Sequence, residues 1–297
     1  MVSGFLSEFG RKVAERWATQ VILPGLLFTS ALAVASALGQ RRWWDTGLLW
    51  RTLGEFAAVG GADQQAAGSA RTVMLVMGVV AVSVAVALVA RALGGPVASV
   101  LSGRWPFFVR PLDRRLTARR VAAWRRHDAA YEAAREAGED AHRLGELAAL
   151  RNAVALTEPR RPTWTGDRLA APAARVRDQY ALDLTAAWPR LWLLLPDTTR
   201  QPLTDSRQGF DEAAALGGWA VLYGALGVLW WPGAVVGLGA ALVCRRRARE
   251  TAEAYAELVE AAVDVHLDEL LDRFDDELRP IRPGRGASVT ERFRKGV

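Results

Sequence analysis

The chain has one cysteine, three histidines and, among 38 basic residues, only two lysines, Lys12 and Lys295. A single thiol excludes a disulfide-built scaffold. His127, His142 and His266 are scattered and have no cysteine at ligand spacing, which excludes a zinc-finger or zinc-ribbon pattern. Walker loops, G-x-G-x-x-G, G-x-S-x-G and H-E-x-x-H are all missing, and with them the usual nucleotide-binding, hydrolase and metalloprotease signatures. We therefore expect no cofactor, no metal and no catalytic residue, and the chain reads as a non-enzyme. The scarcity of lysine beside 36 arginines fits the codon usage of a GC-rich bacterial genome, so arginine content alone does not point to nucleic acid.

Charge is also absent from three long stretches. VILPGLLFTSALAVASALG (21–39) and TVMLVMGVVAVSVAVALVA (72–90) each match the roughly 20 residues that cross a hydrocarbon core. The third, 213–244, runs for 32 residues. As one helix it would measure roughly 48 Å at about 1.5 Å per residue, against a core of about 30 Å. Trp230-Trp231-Pro232-Gly233 near its middle supplies a helix break and headgroup-seeking rings. The stretch is predicted to fold as two short spans, about 213–230 and 232–244, in a transmembrane or re-entrant hairpin. Asp, Glu, Lys, Arg and His are absent from all four spans, which disfavours an ion-coupled carrier. Gly233 and Gly237 form a GxxxG pair that permits close helix contact, either within the hairpin or between copies.

Arginine placement orients the spans. Arg11, Lys12 and Arg16 precede the first span, a dense set from Arg91 to Arg120 follows the second, and Arg245, Arg246, Arg247 and Arg249 follow the hairpin. Placing all three clusters in the cytoplasm requires an even number of crossings, with both termini inside and Arg41-Arg42 outside. A cleaved signal peptide ending near Ala35-Ser36-Ala37 is the competing reading, and Glu8 and Glu15 in the leading region argue against it. Between spans one and two, Trp43, Trp44, Leu48, Leu49, Trp50, Leu53 and Phe56 suggest a short interfacial helix.

The section 96–212 is predicted to be helical and either cytoplasmic or interfacial. One helix is expected over 113–156, with the doublets Arg114-Arg115, Arg119-Arg120 and Arg125-Arg126 in its first part. These doublets suit anionic lipid headgroups, and with no recognised binding module nucleic acid is not expected. A further helix is expected near 167–181, interrupted by Pro172, followed by 182–196 at the inner interface or against the spans. Within that stretch Asp183, Trp188, Pro189 and Arg190 form an elbow that could hold a polar headgroup, while a helix-capping Asp183 and a packed Trp-Pro turn would explain the same residues. A C-terminal helix over 246–278 carries an apolar face beside an acidic stripe that includes Glu257, Glu260 and Asp264. Arg119 and Arg120 are the expected partners of that stripe. From Pro280 onward a disordered basic tail is expected.

Three segments also share a pattern. SGRWP, with Trp105 and Pro106, resembles an E-G-Y-W-P element. PTWTGDRLAAPAARVRDQYALDLTAAWPRLWLLLPD resembles P-T-R-L-G-N-x-L-x-A-A-E followed by R-Y-G-L-D-x-x-x-x-W-P-R-L-x-x-L-L-P. AYAELVEAAVDVHLDELL resembles a closing A-Y-x-x-L-V-x-A-A-x-D-L-x-x-x-x-L. Together they resemble an uncharacterised family of bacterial multi-pass membrane proteins, a likeness that implies topology and transfers no catalytic residue. Trp164-Thr165-Gly166-Asp167 departs from the Arg-Leu-Gly-Asn of that pattern, and Ala181 from its Y-G-L-D glycine.

The resulting expectation is an all-α integral protein of the bacterial cytoplasmic membrane with about four transmembrane helices. Its sections are 1–95 with spans near 21–39 and 72–91, the helical section 96–212, the hairpin 213–244, and the acidic helix and tail 245–297. Its function is read as a membrane-anchored interaction or scaffold module, with the lipid bilayer and its anionic headgroups, a protein partner or further copies of itself as partners. A homo-oligomeric pore or membrane-acting effector, and a lipid-handling enzyme, are the alternatives.

Overall fold

Uncharged runs of Leu, Val and Ala leave the backbone no side-chain partner, so its polar groups are satisfied by the helical ladder itself. The computed structural model describes residues 22–48, 50–51, 54 and 65–273, and all regular structure among them is helical. Helix α1 (Leu23–Leu38) opens with a proline in its first turn and stops at Gly39, which has φ 60°. Helix α2 (Gln65–Leu101) contains Pro96 without ending there. Its stretch Val73–Leu101 has a mean hydropathy of 2.8 and is the one described helix long and apolar enough to cross a membrane. Only 17% of its most apolar portion is buried.

After a short 3-10 turn (Phe107–Val109) come α3 (Arg110–Glu136) and α4 (Ala141–Val154). The single helix expected over 113–156 is therefore two. Gly138 takes a left-handed φ of 71°, and the Asp140 carboxylate accepts the Arg143 amide at 2.7 Å to start a new helix. Helix α5 (Trp164–Tyr180) runs through Pro172, and α6 (Leu184–Leu194) begins at the Asp183 cap. The last two helices are α7 (Asp197–Leu226) and α8 (Trp231–Asp272).

The apolar arms of 213–244 are thus the ends of two longer helices rather than two short ones. The turn falls at 227–230, slightly earlier than expected, because Pro232 is accommodated in the first turn of α8, where its missing N–H costs nothing. Gln40 holds this turn: its amide donates to the Gly227 and Val228 carbonyls at 2.9 and 2.7 Å and its oxygen accepts Trp231 N–H at 3.1 Å.

The chain divides into two units, Met1–Val97 with Ala214–Cys244, and Ala98–Ala213 with Arg245–Val297. In the first, small residues let helices approach closely. A Cβ on Gly25 would fall 2.2 Å from the Ser83 carbonyl, and one on Gly218 would fall 2.0 Å from that of Ala90. Thr29 and Ser83 hydroxyls bond at 3.0 Å between α1 and α2, and Phe28 meets Tyr223 edge-on at 5.1 Å. Gly233 and Gly237 face Gly227 and Gly224 respectively, so the GxxxG pair is used inside the hairpin.

The second unit has its own core. Leu182, Leu184, Leu191 and Leu195 pack with Leu203 and with Val259, Val263, Leu267, Leu270 and Leu271 of α8. The segment 182–196 supplies five of the thirteen buried residues of this core. Each fully buried leucine contributes about 1.5–3 kcal/mol, which outweighs the polarity of Asp183 and Arg190 at its margins. Ala248, Ala252 and Ala256 form a wholly buried stripe on α8, and the first two of them pack with Phe210 and Ala213. The N-terminal Arg11, Lys12 and Arg16, part of the proposed interfacial helix (Leu49, Leu53, Phe56), and the basic tail from Pro280 lie outside the described residues.

Candidate functional site

The entry into α5 is fastened at several points. Thr163 caps the helix by accepting Gly166 N–H at 3.1 Å and donates its hydroxyl to the Leu101 carbonyl at 2.7 Å. Gly166 is required there, since a Cβ would fall 2.6 Å from the Ser102 carbonyl. One carboxylate oxygen of Asp167 accepts the Arg160 and Arg161 amides at 3.0 and 2.8 Å, and the other accepts the Arg120 guanidinium. Arg120 also donates to the carbonyls of Arg161 and Val154 at 2.6 and 2.7 Å. Trp164 and Asp167 are both departures from the expected P-T-R-L-G-N, and both belong to this arrangement.

Beside this segment lies a cavity of about 430 Å³. Arg120, Arg245 and Arg249 line it together with Thr163, Trp164 and Thr165, and no carboxylate does. The Arg249 guanidinium stacks 4.5 Å from the centre of the Trp164 ring. Burial, followed by repulsion from Arg245, holds Arg249 below the usual arginine range; Glu253 acts the other way and Arg120 adds further repulsion. The lining is thus cationic, with three guanidinium groups and no carboxylate.

The acidic stripe of α8 has different partners from those expected. Arg168 meets Glu260 at 2.7 Å and lies within 4.0 Å of Glu257, while Arg175 meets Asp264 at 3.0 Å and Glu260 at 3.5 Å. The pairing of Glu257, Glu260 and Asp264 with Arg119 and Arg120 is therefore corrected. Arg168 and Arg175 stand two turns apart on one face of α5, in step with the stripe. Arg120 is committed to Asp167, and Arg119 is exposed. That match of spacings was the available signal for Arg168 and Arg175. Arg245 and Arg249 were visible only as topogenic charge.

Of the remaining candidates, Asp183 caps α6 by accepting Thr185 N–H at 3.0 Å, and Arg190 donates to the Ala186 carbonyl at 2.9 Å. Trp188 lines a separate cavity of about 410 Å³ with Trp192, Arg207 and Tyr255. Pro189 is exposed inside α6. Trp105 donates its indole N–H to the Val100 carbonyl at 3.0 Å, and Pro106 precedes the 3-10 turn. The structure thus gathers Trp188, Pro189 and Arg190 on α6 next to the Asp183 cap, and sets Glu257, Glu260 and Asp264 along one face of α8. Among the described residues no group of three or more His, Cys, Asp or Glu side chains could hold a metal.

Compared with family models, curated proteins and solved structures, the chain matches none.

Proposed function

We propose that this chain is an integral protein of a bacterial cytoplasmic membrane, crossing it four times with both termini inside and serving as a membrane-anchored interaction module. The crossings would be α1, the apolar part of α2, and the apolar ends of α7 and α8. One observation carries the membrane reading: large hydrophobic side chains are exposed where a water-soluble helix would hide them. Val73, Met74, Leu75, Val76 and Met77 on α2, and Val235, Leu238 and Leu242 on α8, are each at least half exposed. Contiguous apolar surface of this kind marks contact with lipid or protein rather than water. The likeness to an uncharacterised family of multi-pass membrane proteins belongs to the same proposal.

In this reading the second unit stands in the cytoplasm as the part that meets partners. It is stabilised by its own core and ion pairs, and its arginine-rich α3 presents the exposed Arg114, Arg115 and Arg119. In-cell crosslinking followed by purification from membranes tests the function. A reproducible soluble partner, lost when Arg114, Arg115 and Arg119 are changed together to Glu, is expected. Absence of any partner, combined with ion leakage on expression, would favour a pore instead.

A further inference from the structure

We propose that the cavity between Arg120, Arg245 and Arg249 binds a phosphate group, carried by a phospholipid headgroup or by a soluble phosphate. Three guanidiniums line one cavity with no lining carboxylate; Asp167 offsets Arg120 from outside the lining, while Arg245 and Arg120 both repel Arg249. Neither Arg245 nor Arg249 makes an ion pair or hydrogen bond with a described residue, whereas Arg246 on the same helix is paired with Glu250. Among the described residues their N–H donors are uncommitted.

The site is also built rather than incidental. Arg120 is clamped by the Asp167 carboxylate and by the Arg161 and Val154 carbonyls, and stacking on Trp164 fixes the plane of Arg249. Oriented guanidinium forks match the geometry of phosphate oxygens. The cavity, at about 430 Å³, falls in the roughly 300–1,000 Å³ range of small-ligand sites. Two of its lining residues, Leu101 and Arg245, stand at the ends of the apolar stretches 73–101 and 231–244. Only the headgroup source rests on the membrane reading; a free phosphate does not.

The test uses the full chain purified in detergent, with R245Q/R249Q as the site variant. R246Q is the control, since Arg246 is exposed and paired with Glu250. One arm counts bound phosphatidylglycerol by native mass spectrometry, with diacylglycerol as the phosphate-free comparison. The other measures inorganic phosphate by calorimetry. The proposal expects one of these probes to bind the native chain about tenfold more tightly than R245Q/R249Q, with R246Q within about twofold of native. Phosphatidylglycerol retention without inorganic phosphate binding identifies a headgroup, and inorganic phosphate binding identifies a soluble source. Equal binding by native chain and R245Q/R249Q, an equal loss in R246Q, or equal retention of diacylglycerol would overturn it. Without ligand at low ionic strength, R245Q/R249Q should melt no lower than the native chain, because repulsion is relieved. A double variant that fails to fold would make these arginines structural and also overturn the proposal.

Discussion

Arg168 reaches Glu260 across 2.7 Å while only 6% of its side chain remains exposed, so an ion pair lies inside the contact between α5 and α8. Its Nε makes no hydrogen bond, with the Glu253 carboxylate 3.7 Å away. Taking a guanidinium out of water is costly, and its carboxylate partners offset that cost.

Removing one partner of such a pair leaves the other uncompensated. Arg168→Gln should destabilise the second unit by about 3–5 kcal/mol. Arg175→Gln, at a half-exposed pair, should cost only about 0–1 kcal/mol. Denaturant titration followed by tryptophan fluorescence separates the two, and equal effects would contradict the burial argument.

Ala181 closes α5 with φ 54° and ψ 24°, the one non-glycine residue with positive φ among those described. A Cβ in that region costs roughly 1–2 kcal/mol, which glycine avoids. Ala181→Gly should therefore raise stability by about 1 kcal/mol, offset in part by the greater freedom of glycine in the unfolded chain. An unchanged or lower melting temperature would count against it.

Gly218 approaches the Ala90 carbonyl so closely that any side chain must push α2 and α7 apart. Gly218→Val should abolish the compact detergent-purified species on size exclusion. Gly78→Ala, which meets nothing within 4 Å, should leave the elution profile unchanged. Helix contacts through small residues depend on this closeness.

Burial pushes the Tyr255 phenol above its usual value, and the positive charge of Arg207 pulls it partly back. Folding therefore holds this proton more tightly than the unfolded chain does. The resulting stability is complete below about pH 10, the unfolded value, and is lost as pH rises through the higher folded value. Tyr255→Phe should flatten the alkaline fall in stability measured by denaturation above that pH, and an unaltered slope would exclude Tyr255 as its source.

Much of the architecture could be read from where charge was missing. Residues 23–38 of the first run and all of the run 72–90 lie in helices. Charge periodicity was less informative. The pairs Glu132–Arg135 and Arg143–Glu146 continue across the Gly138 break, because local ion pairs do not register a single left-handed residue. The partner of the acidic stripe was missed for a related reason: the doublets of α3 are denser in charge, but Asp167 and two carbonyls already occupy Arg120. Which arginine meets which carboxylate depends on packing far apart in sequence, and the leucines of α6 and α8 decide it.

The proposed four-crossing membrane arrangement is tested most directly by single-cysteine labelling in intact cells. The one native thiol, Cys244, is buried and can be removed as Cys244→Ser. Arg42→Cys and Asp268→Cys, both at exposed positions, are then treated with a membrane-impermeant maleimide. The account predicts that Arg42→Cys is labelled on intact cells and Asp268→Cys only after permeabilisation. Labelling of Asp268→Cys on intact cells would contradict it.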